Sequence, residues 1–180
     1  MTLERITKHN IAYAIQIQEE LFPEESGRAN FEESVDERSG FEYYLLYEGG
    51  VCVGVIGIYG YPEDQESAWL GWFGIREDFR RKSLGTIALK AFEEMAASRG
   101  YLYARLYTDA MNNDAAIAFY KVNGYIDEPY QNLKDPACMK YKTVIFSKAL
   151  TSRPLEFWNN RNIHLTEQIA KQEKYGKGAV

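Results

Sequence analysis

Cysteine and histidine are scarce in this chain of 180 residues, which contains two of each. Cys52 and Cys138 are far apart and match no metal-binding spacing, so we expect reduced thiols rather than a disulfide. His9 and His164 are too few to form a zinc site or a catalytic triad based on histidine. These counts disfavour a disulfide-stabilised fold and predict chemistry that uses neither a metal nor an imidazole.

Long apolar runs are also absent from the sequence. No stretch approaches about 18 consecutive apolar residues, and we expect no secretory leader. We therefore expect a soluble, cytoplasmic protein without a membrane partner. With 46% hydrophobic residues, the chain has enough apolar material for one globular domain and room for a small appendage.

The net charge of −5 is unevenly distributed along the chain. Residues 1–40 contain nine Asp and Glu against four Lys and Arg, whereas residues 151–180 contain three against five. An acidic first part disfavours a nucleic-acid partner, which needs a basic face. It suits a cationic small molecule, although carboxylates on solvated helix faces would produce the same composition.

Hydrophobic periodicity and turn residues predict a chain in which strands and helices alternate. The expected strands are 2–6, 41–47, 51–59, 68–75, 101–107 and 143–146. The expected helices are 11–21, 29–38, 84–98, 113–122 and 163–175. This order indicates the α/β (α+β) class, with a mixed central sheet flanked by helices. We place one domain at 1–150 and a C-terminal helical extension at 151–180.

The C-terminal extension contains apolar residues that need a partner surface. They are Trp158, Ile163, Leu165 and Ile169. They would pack the extension either on the domain or on a second subunit of a homodimer, and the sequence does not choose between the two.

A cationic turn joins an apolar strand to an amphipathic helix at residues 80–85, Arg-Arg-Lys-Ser-Leu-Gly. The first N–H groups of a helix lack intrahelical partners and, together with the helix dipole, favour an anion. The turn therefore has the composition of a phosphate site. An ordinary N-cap at Ser83 among solvated cations explains the same residues. This segment alone therefore does not distinguish a phosphate site from a helix cap.

A second segment, residues 113–125, places hydrogen-bonding side chains on one face of a helix. Asn113, Ala116 and Tyr120 stand at i, i+3 and i+7, so a small residue lies between two polar ones. This spacing leaves a slot for a slender polar chain. A half-buried tyrosine and a capping asparagine are the structural alternative.

Together, the turn R-x-x-S-x-G and the downstream pattern N-x-x-A-x-x-x-Y-x-x-x-G-Y resemble the GNAT superfamily of acetyl-CoA-dependent N-acetyltransferases, over roughly residues 2–150. The resemblance implies acetyl-CoA as co-substrate and direct acetyl transfer, in a ternary complex, to a primary amine of a small, cationic acceptor. It assigns CoA binding to Phe73, Ile75, Arg80, Arg81, Lys82, Ser83, Leu84, Gly85, Thr86, Asn113, Ala116 and Tyr120. The family usually has glycine at the position of Ser83, so either the turn is more open here or the serine hydroxyl joins the phosphate shell, which we favour.

The resemblance also implies catalytic groups. Tyr120 would act as an acid toward the departing thiolate. Some family members have a strand glutamate where this chain has Trp69, so the base is expected elsewhere: a water held by backbone carbonyls, or one of the acidic residues Glu63, Asp64 and Glu66. Glu66 is our first choice because it lies nearest the strand. The missing strand glutamate and turn glycine also leave a second hypothesis, a catalytically degenerate acyl-CoA-binding sensor or interaction module.

The acceptor is expected against the two early helices, which wall the substrate cleft in the family that this chain resembles. Their carboxylates would attract an ammonium, and nearby aromatic side chains would offer it a surface. These side chains are Tyr43, Tyr59, Tyr61 and Trp72. Gly71 and Gly74 predict a bulge that separates their strand from its neighbour and frees backbone N–H groups for the pantetheine and the thioester carbonyl.

Overall fold

A seven-stranded mixed sheet with the strand order β1-β2-β3-β4-β5-β7-β6 forms the centre of the fold. The computed structural model describes residues 1–111, 113–131, 142–161, 163 and 165. The strands are β1 Thr2–Arg5, β2 Phe41–Glu48, β3 Val51–Tyr61, β4 Asp64–Ile75, β5 Tyr103–Asp109, β6 Ile126–Pro129 and β7 Thr143–Ala149. The helices are α1 Ile11–Leu21, α2 Arg28–Ser34, α3 Leu84–Ser98 and α4 Asp114–Val122, with short 3₁₀ helices at Glu77–Phe79 and Trp158–Arg161.

This architecture confirms the predicted fold class and corrects some of the predicted elements. The second helix ends at Ser34 rather than at 38, because Asp36 accepts hydrogen bonds from the backbone and guanidinium of Arg38 and closes a turn. Strand β6 was not predicted, since its four residues include a proline and two carboxylates. The predicted helix at 163–175 lies outside the described residues, apart from 163 and 165.

Each face of the sheet packs against two helices. Helices α1 and α2 cover an aromatic core that includes Phe31, Tyr43 and Trp69. Helices α3 and α4 cover the other face, where Leu89 and Phe92 are almost fully buried. Burying a side chain of this size contributes about 1.5–3 kcal/mol. Among the described residues, no helix is long and apolar enough to cross a bilayer.

Strands β4 and β5 are parallel neighbours that pair over only three residues. Residues 67–69 of β4 face residues 103–105 of β5, and the described residues beyond them form no further pair between these strands. On its other side, β4 places Trp72 and Phe73 opposite the single residue Ile56 of β3. Such a bulge bends a strand and increases its twist. The bulge predicted from Gly71 and Gly74 is confirmed, and β4 and β5 separate toward their carboxyl ends.

A buried arginine holds the paired ends of these strands together. Arg105 donates hydrogen bonds to Oγ of Ser67 at 2.9 Å, to Oγ of Ser147 at 2.6 Å and to the carbonyl of Glu156 at 2.6 Å. Desolvation, followed by repulsion from Arg161, lowers the pKa of Arg105 to about 10, so it remains a cation at neutral pH. The guanidinium therefore joins β4, β5, β7 and the segment that follows β7.

The described part of the segment after β7 packs on the domain. Trp158 is fully buried, with its ring centroid 4.8 Å from that of Trp69. The Glu128 carboxylate accepts the backbone N–H groups of Trp158 at 2.6 Å and Asn159 at 3.1 Å. Of the two alternatives that the sequence left open, Trp158 therefore follows the first, packing on the domain and not on a second subunit.

Glu42 links β2 to β1 and to the end of α3. Its carboxylate accepts two hydrogen bonds of 2.8 Å from Arg99 and also contacts Arg5 and Tyr44. Partial desolvation raises the pKa of Glu42, but the hydrogen bonds from Arg99 and Tyr44 and the charge of Arg5 outweigh it and lower the pKa to about 2. A lowered pKa means that the carboxylate stabilises the fold above the unfolded-state pKa of about 4.3, and that this contribution is lost as the pH falls through about 2.

We predict that Glu42→Gln lowers the free energy of unfolding by about 1 kcal/mol at pH 7 and by less at pH 3. Urea denaturation at both pH values measures the difference. Glu63→Gln, in the exposed turn between β3 and β4, is the matched control and should behave as the wild type at both. A loss at pH 3 as large as that at pH 7 would contradict this assignment.

Candidate active site

The cationic turn between β4 and α3 has an unusual backbone. Arg81 and Ser83 have φ values of +58° and +61°. This left-handed region costs a residue with a side chain roughly 1–2 kcal/mol. Turns that alternate in handedness line a concavity with N–H groups and bind anions. Strain of this kind at two neighbouring positions is a reason to look for a function in the turn.

Helix α3 begins with unsatisfied backbone donors. Ser83 is the N-cap residue, but its side chain makes no capping hydrogen bond. The N–H of Ile87 is bonded to the carbonyl of Ser83 at 3.0 Å, as the helical pattern requires. The N–H groups of residues 84–86 therefore have no intrahelical acceptor, and together with the helix dipole they favour an anion. Ser83 is not an ordinary capping serine, and its hydroxyl is available to a ligand.

Two of the three cations in the turn also hold its shape. Arg80 donates from Nε to the carbonyl of Ile75 at 2.8 Å, and Lys82 donates from Nζ to the carbonyl of Asp78 at 2.8 Å. Arg81 contacts no other charged or hydrogen-bonding group in the described part of the chain. All three residues are exposed, so their charges face solvent at the open end of the helix.

The two motifs of the sequence meet in space. A Cβ added to Gly85 would lie 3.3 Å from the Phe119 ring, so the start of α3 lies close against α4. The Phe73 ring lies 6.0 Å from that of Phe119, which brings the bulge of β4 to the same place. Ile75 is buried in the core under α3 and α4, and Ala116 packs against this core.

Asn113 lies where β5 leads into α4. Its Nδ2 donates to Oγ1 of Thr108 at 3.2 Å and to the carbonyl of Asp109 at 3.1 Å. These bonds fix the amide orientation, and no described residue donates a hydrogen bond to Oδ1, which can therefore accept one from a ligand. Asn113 is the N-cap residue of α4, but its side chain makes no capping hydrogen bond.

Tyr120 is packed under α4 with an available hydroxyl. Its ring contacts those of Phe119, Tyr125 and Phe146, at centroid distances of 5.3, 5.9 and 5.4 Å. No hydrogen-bond partner for its hydroxyl lies among the described residues. Burial raises the pKa of Tyr120, so the phenol stays protonated at neutral pH. Because a raised pKa makes complete proton transfer to a thiolate less favourable, the structure favours hydrogen-bond donation over the acid role.

Glu66 lies away from these groups. It forms ion pairs with Arg161 at 2.8 Å and Arg153 at 3.0 Å, and the hydrogen bond from Arg161 lowers its pKa. Glu66 lies nine positions before Ile75, a distance of about 30 Å along β4. The structure therefore does not bring Glu66 to the other site residues, and its ion pairs oppose a role as a base.

No ionisable group replaces the strand glutamate at position 69. Trp69 is fully buried, and its ring packs against those of Tyr61 and Trp158 at 5.1 and 4.8 Å. Asp64, a second acidic residue considered for the base, is buried and paired with Arg161. A proton acceptor for this site must come from another part of the chain or from solvent.

Two carboxylates that the motifs did not include lie near the opening between β4 and β5. Glu25 is in the loop after α1, where Phe22 packs edge-on against Trp72 of the β4 bulge at 5.0 Å. Asp109 ends β5. Partial desolvation, and then the negative charge of Asp109, raises the pKa of Glu25. Asp109 stands four residues before Asn113, and only this spacing links it to the site in the sequence.

A model of the acetyltransferase (GNAT) family matches residues 10–125 of the chain. The chain belongs to the GNAT acetyltransferase family. YdgE of Bacillus subtilis (strain 168), described as an uncharacterized N-acetyltransferase, is 28% identical over 130 residues, which cover 69% of this chain and 81% of YdgE. Family membership supports an acyl-CoA-dependent N-acetyltransferase.

Solved structures share the fold of this GNAT protein. The ribosomal-protein-S18-alanine N-acetyltransferase from Escherichia coli aligns with a TM-score of 0.66 and 18% identity, covering 87% of this chain and 98% of that enzyme. An aminoglycoside 6'-N-acetyltransferase complexed with coenzyme A aligns with a TM-score of 0.64 and 17% identity, covering 86% and 100%. At these identities the comparison shows the fold and does not identify an acceptor.

The role of Ser83 in this GNAT protein can be tested with a pair of variants. We predict that Ser83→Ala and Ser83→Gly each weaken CoA binding about ten-fold, because both remove a hydroxyl that would bond to a charged phosphate. Only Ser83→Gly should also stabilise the protein, by about 1 kcal/mol, because glycine adopts positive φ without strain. Calorimetric titration and thermal unfolding measure the two effects. Unchanged affinity in both variants would remove the hydroxyl from the phosphate site.

Tyr120→Phe tests the donor to the leaving group. We predict that kcat falls at least about ten-fold while affinity for acetyl-CoA changes little, because the ring packing is retained and only the hydrogen bond to sulfur is lost. Steady-state release of CoA thiol and equilibrium binding measure the two quantities. An unchanged kcat would exclude Tyr120 from the mechanism.

Proposed function

We propose that this protein transfers the acetyl group of acetyl-CoA to a primary amine of a small, cationic acceptor by direct attack in a ternary complex. The observation that supports this most strongly is the opening between β4 and β5, with the unsatisfied donors of α3 and the available Tyr120 hydroxyl on one side of the sheet, that of α3 and α4. Family membership supports the reaction class, and the arrangement of charge supports the class of acceptor.

The donor side of the site is formed by groups that retain hydrogen-bonding capacity or charge for a ligand. The N–H groups of residues 84–86, the Ser83 hydroxyl and the three cations of the turn would hold the pyrophosphate. Oδ1 of Asn113 would accept an amide N–H of the pantetheine arm. Tyr120 would donate its O–H to the sulfur. These groups lie along one path from the start of α3 to α4.

The transfer requires a free amine and a place for its proton. An alkyl ammonium with a pKa near 10.4 is unprotonated in only about one molecule in 2,500 at pH 7. The amine nitrogen forms the new C–N bond at the thioester carbonyl, the C–S bond breaks, and Tyr120 stabilises the sulfur. Glu25, at the opening and with a raised pKa, is the carboxylate that we propose as proton acceptor, directly or through a water.

The carboxylates of residues 19–36 differ in whether they have a cationic partner. Several carboxylates there already pair with arginines: Glu19 with Arg28 at 3.3 Å, Glu20 with Arg76 at 2.8 Å and Asp36 with Arg38 at 2.8 Å. Within the described part of the chain, Glu25 and Asp109 have no cationic partner. An acceptor with a second positive charge would supply that partner.

A panel of amines tests this proposal. We predict that polyamines and aminoglycosides have a higher kcat/KM than a monoamine without a second charge, as measured by release of CoA thiol. Glu25→Gln should lower kcat for every amine because it removes the proposed proton acceptor, and it should lower kcat/KM further for the polycationic acceptors because it also removes the charge that attracts them. Glu24→Gln, one residue away and exposed, is the matched control and should leave kcat/KM unchanged.

Two results would contradict parts of the proposal. Equal kcat/KM for polycationic and singly charged amines would exclude a cationic acceptor while leaving acetyl transfer intact. Tight acetyl-CoA binding without thiol release in the presence of any amine would instead favour the acyl-CoA sensor.

A further inference from the structure

Tyr43 lies flat across two neighbouring strands of the sheet. A Cβ added to Gly57 of β3 would come within 2.2 Å of Cε1 of Tyr43, and one added to Gly71 of β4 within 2.8 Å of its Cε1 and its hydroxyl oxygen. Side chains at these two positions are incompatible with the observed ring. The two glycines thus form a trough that lets a side chain from β2 reach the backbone of β4.

The hydroxyl of Tyr43 is placed at the edge of the opening between β4 and β5. Trp69 is the last residue of β4 that pairs with β5. Gly71 lies two positions after it, directly before the bulge at residues 72 and 73. Tyr107 of β5, on the other side of the opening, packs against the core that contains Tyr43. Tyr43 belongs to the core under α1 and α2, whereas Tyr120 belongs to the core under α3 and α4.

The ring of Tyr43 is held rigidly, but its hydroxyl is not used by the fold. Phe31 of α2 covers the ring at a centroid distance of 4.8 Å, and the residue is only 2% exposed. No described residue forms a hydrogen bond with its hydroxyl. Burial raises the pKa of Tyr43, so the phenol is neutral at any working pH and cannot act as a base. A neutral hydroxyl can both accept and donate a hydrogen bond.

We propose that the Tyr43 hydroxyl accepts a hydrogen bond from the attacking amine on the α1–α2 side of the opening and so orients its lone pair toward the thioester carbonyl. The inference rests on the proposed acetyl transfer and adds an acceptor-binding residue to it. Tyr43 would thereby orient the amine, which is one of the functions that a strand glutamate would otherwise perform. Glu25 or solvent would still remove the proton from the amine. Tyr120, on the opposite face, would donate its hydrogen bond to the sulfur.

Tyr43→Phe is the direct test because phenylalanine keeps the ring in the glycine trough and removes only the hydroxyl. We expect kcat/KM for the amine to fall about ten-fold, the effect of one lost hydrogen bond to a reacting group, with KM and equilibrium affinity for acetyl-CoA within two-fold of wild type. Tyr44→Phe is the matched control. Tyr44 is the next residue on β2, belongs to the opposite core, and directs its hydroxyl to Glu42, so acceptor kinetics should not change.

The outcomes separate this inference from the function on which it rests. Wild-type kcat/KM in Tyr43→Phe, with the wild-type protein active on amines, would overturn the role of Tyr43 and leave acetyl transfer standing. Loss of acetyl-CoA affinity together with activity would show a structural role and would also overturn it. If the wild-type protein acetylates no amine, the proposed function fails, and the role of Tyr43 fails with it.

Discussion

The three-residue pairing between β4 and β5 is the constraint on which the rest of the site depends. Beyond Trp69 the strands separate, because the bulge at Trp72 and Phe73 bends β4 away. The closed end is held by the buried guanidinium of Arg105, which bonds β4, β7 and the segment after β7 simultaneously. A rigid closed end and a bent open end together place a slot in the middle of the sheet.

The two faces of this slot have different chemistry. On the α3–α4 face, helix N–H groups, a strained cationic turn and the Tyr120 hydroxyl suit a phosphorylated thioester donor. On the α1–α2 face, Tyr43 and the Glu25–Asp109 carboxylates suit an amine. Both tyrosines are kept neutral by burial, so we expect them to act by hydrogen bonding, while ionisable groups remain at the opening.

Local sequence patterns predicted the elements that carry the proposed donor side, and long-range packing explains why they did not predict the proposed acceptor side. The bounds of α3, the placement of Asn113 and Tyr120 on α4, and the bulge all follow from spacing within one or two elements. Glu66 was misplaced as a base because its partner Arg161 is 95 residues away. The position of the Tyr43 hydroxyl depends on glycines in two other strands, and no local pattern contains that information.

A crystal structure with bound CoA tests the central claim most directly. We expect pyrophosphate oxygens about 3 Å from the N–H groups of residues 84–86 and the sulfur within hydrogen-bonding distance of the Tyr120 hydroxyl, inside the opening between β4 and β5. CoA bound at another surface, or with its sulfur outside that opening, would contradict the assignment of the opening as the active site.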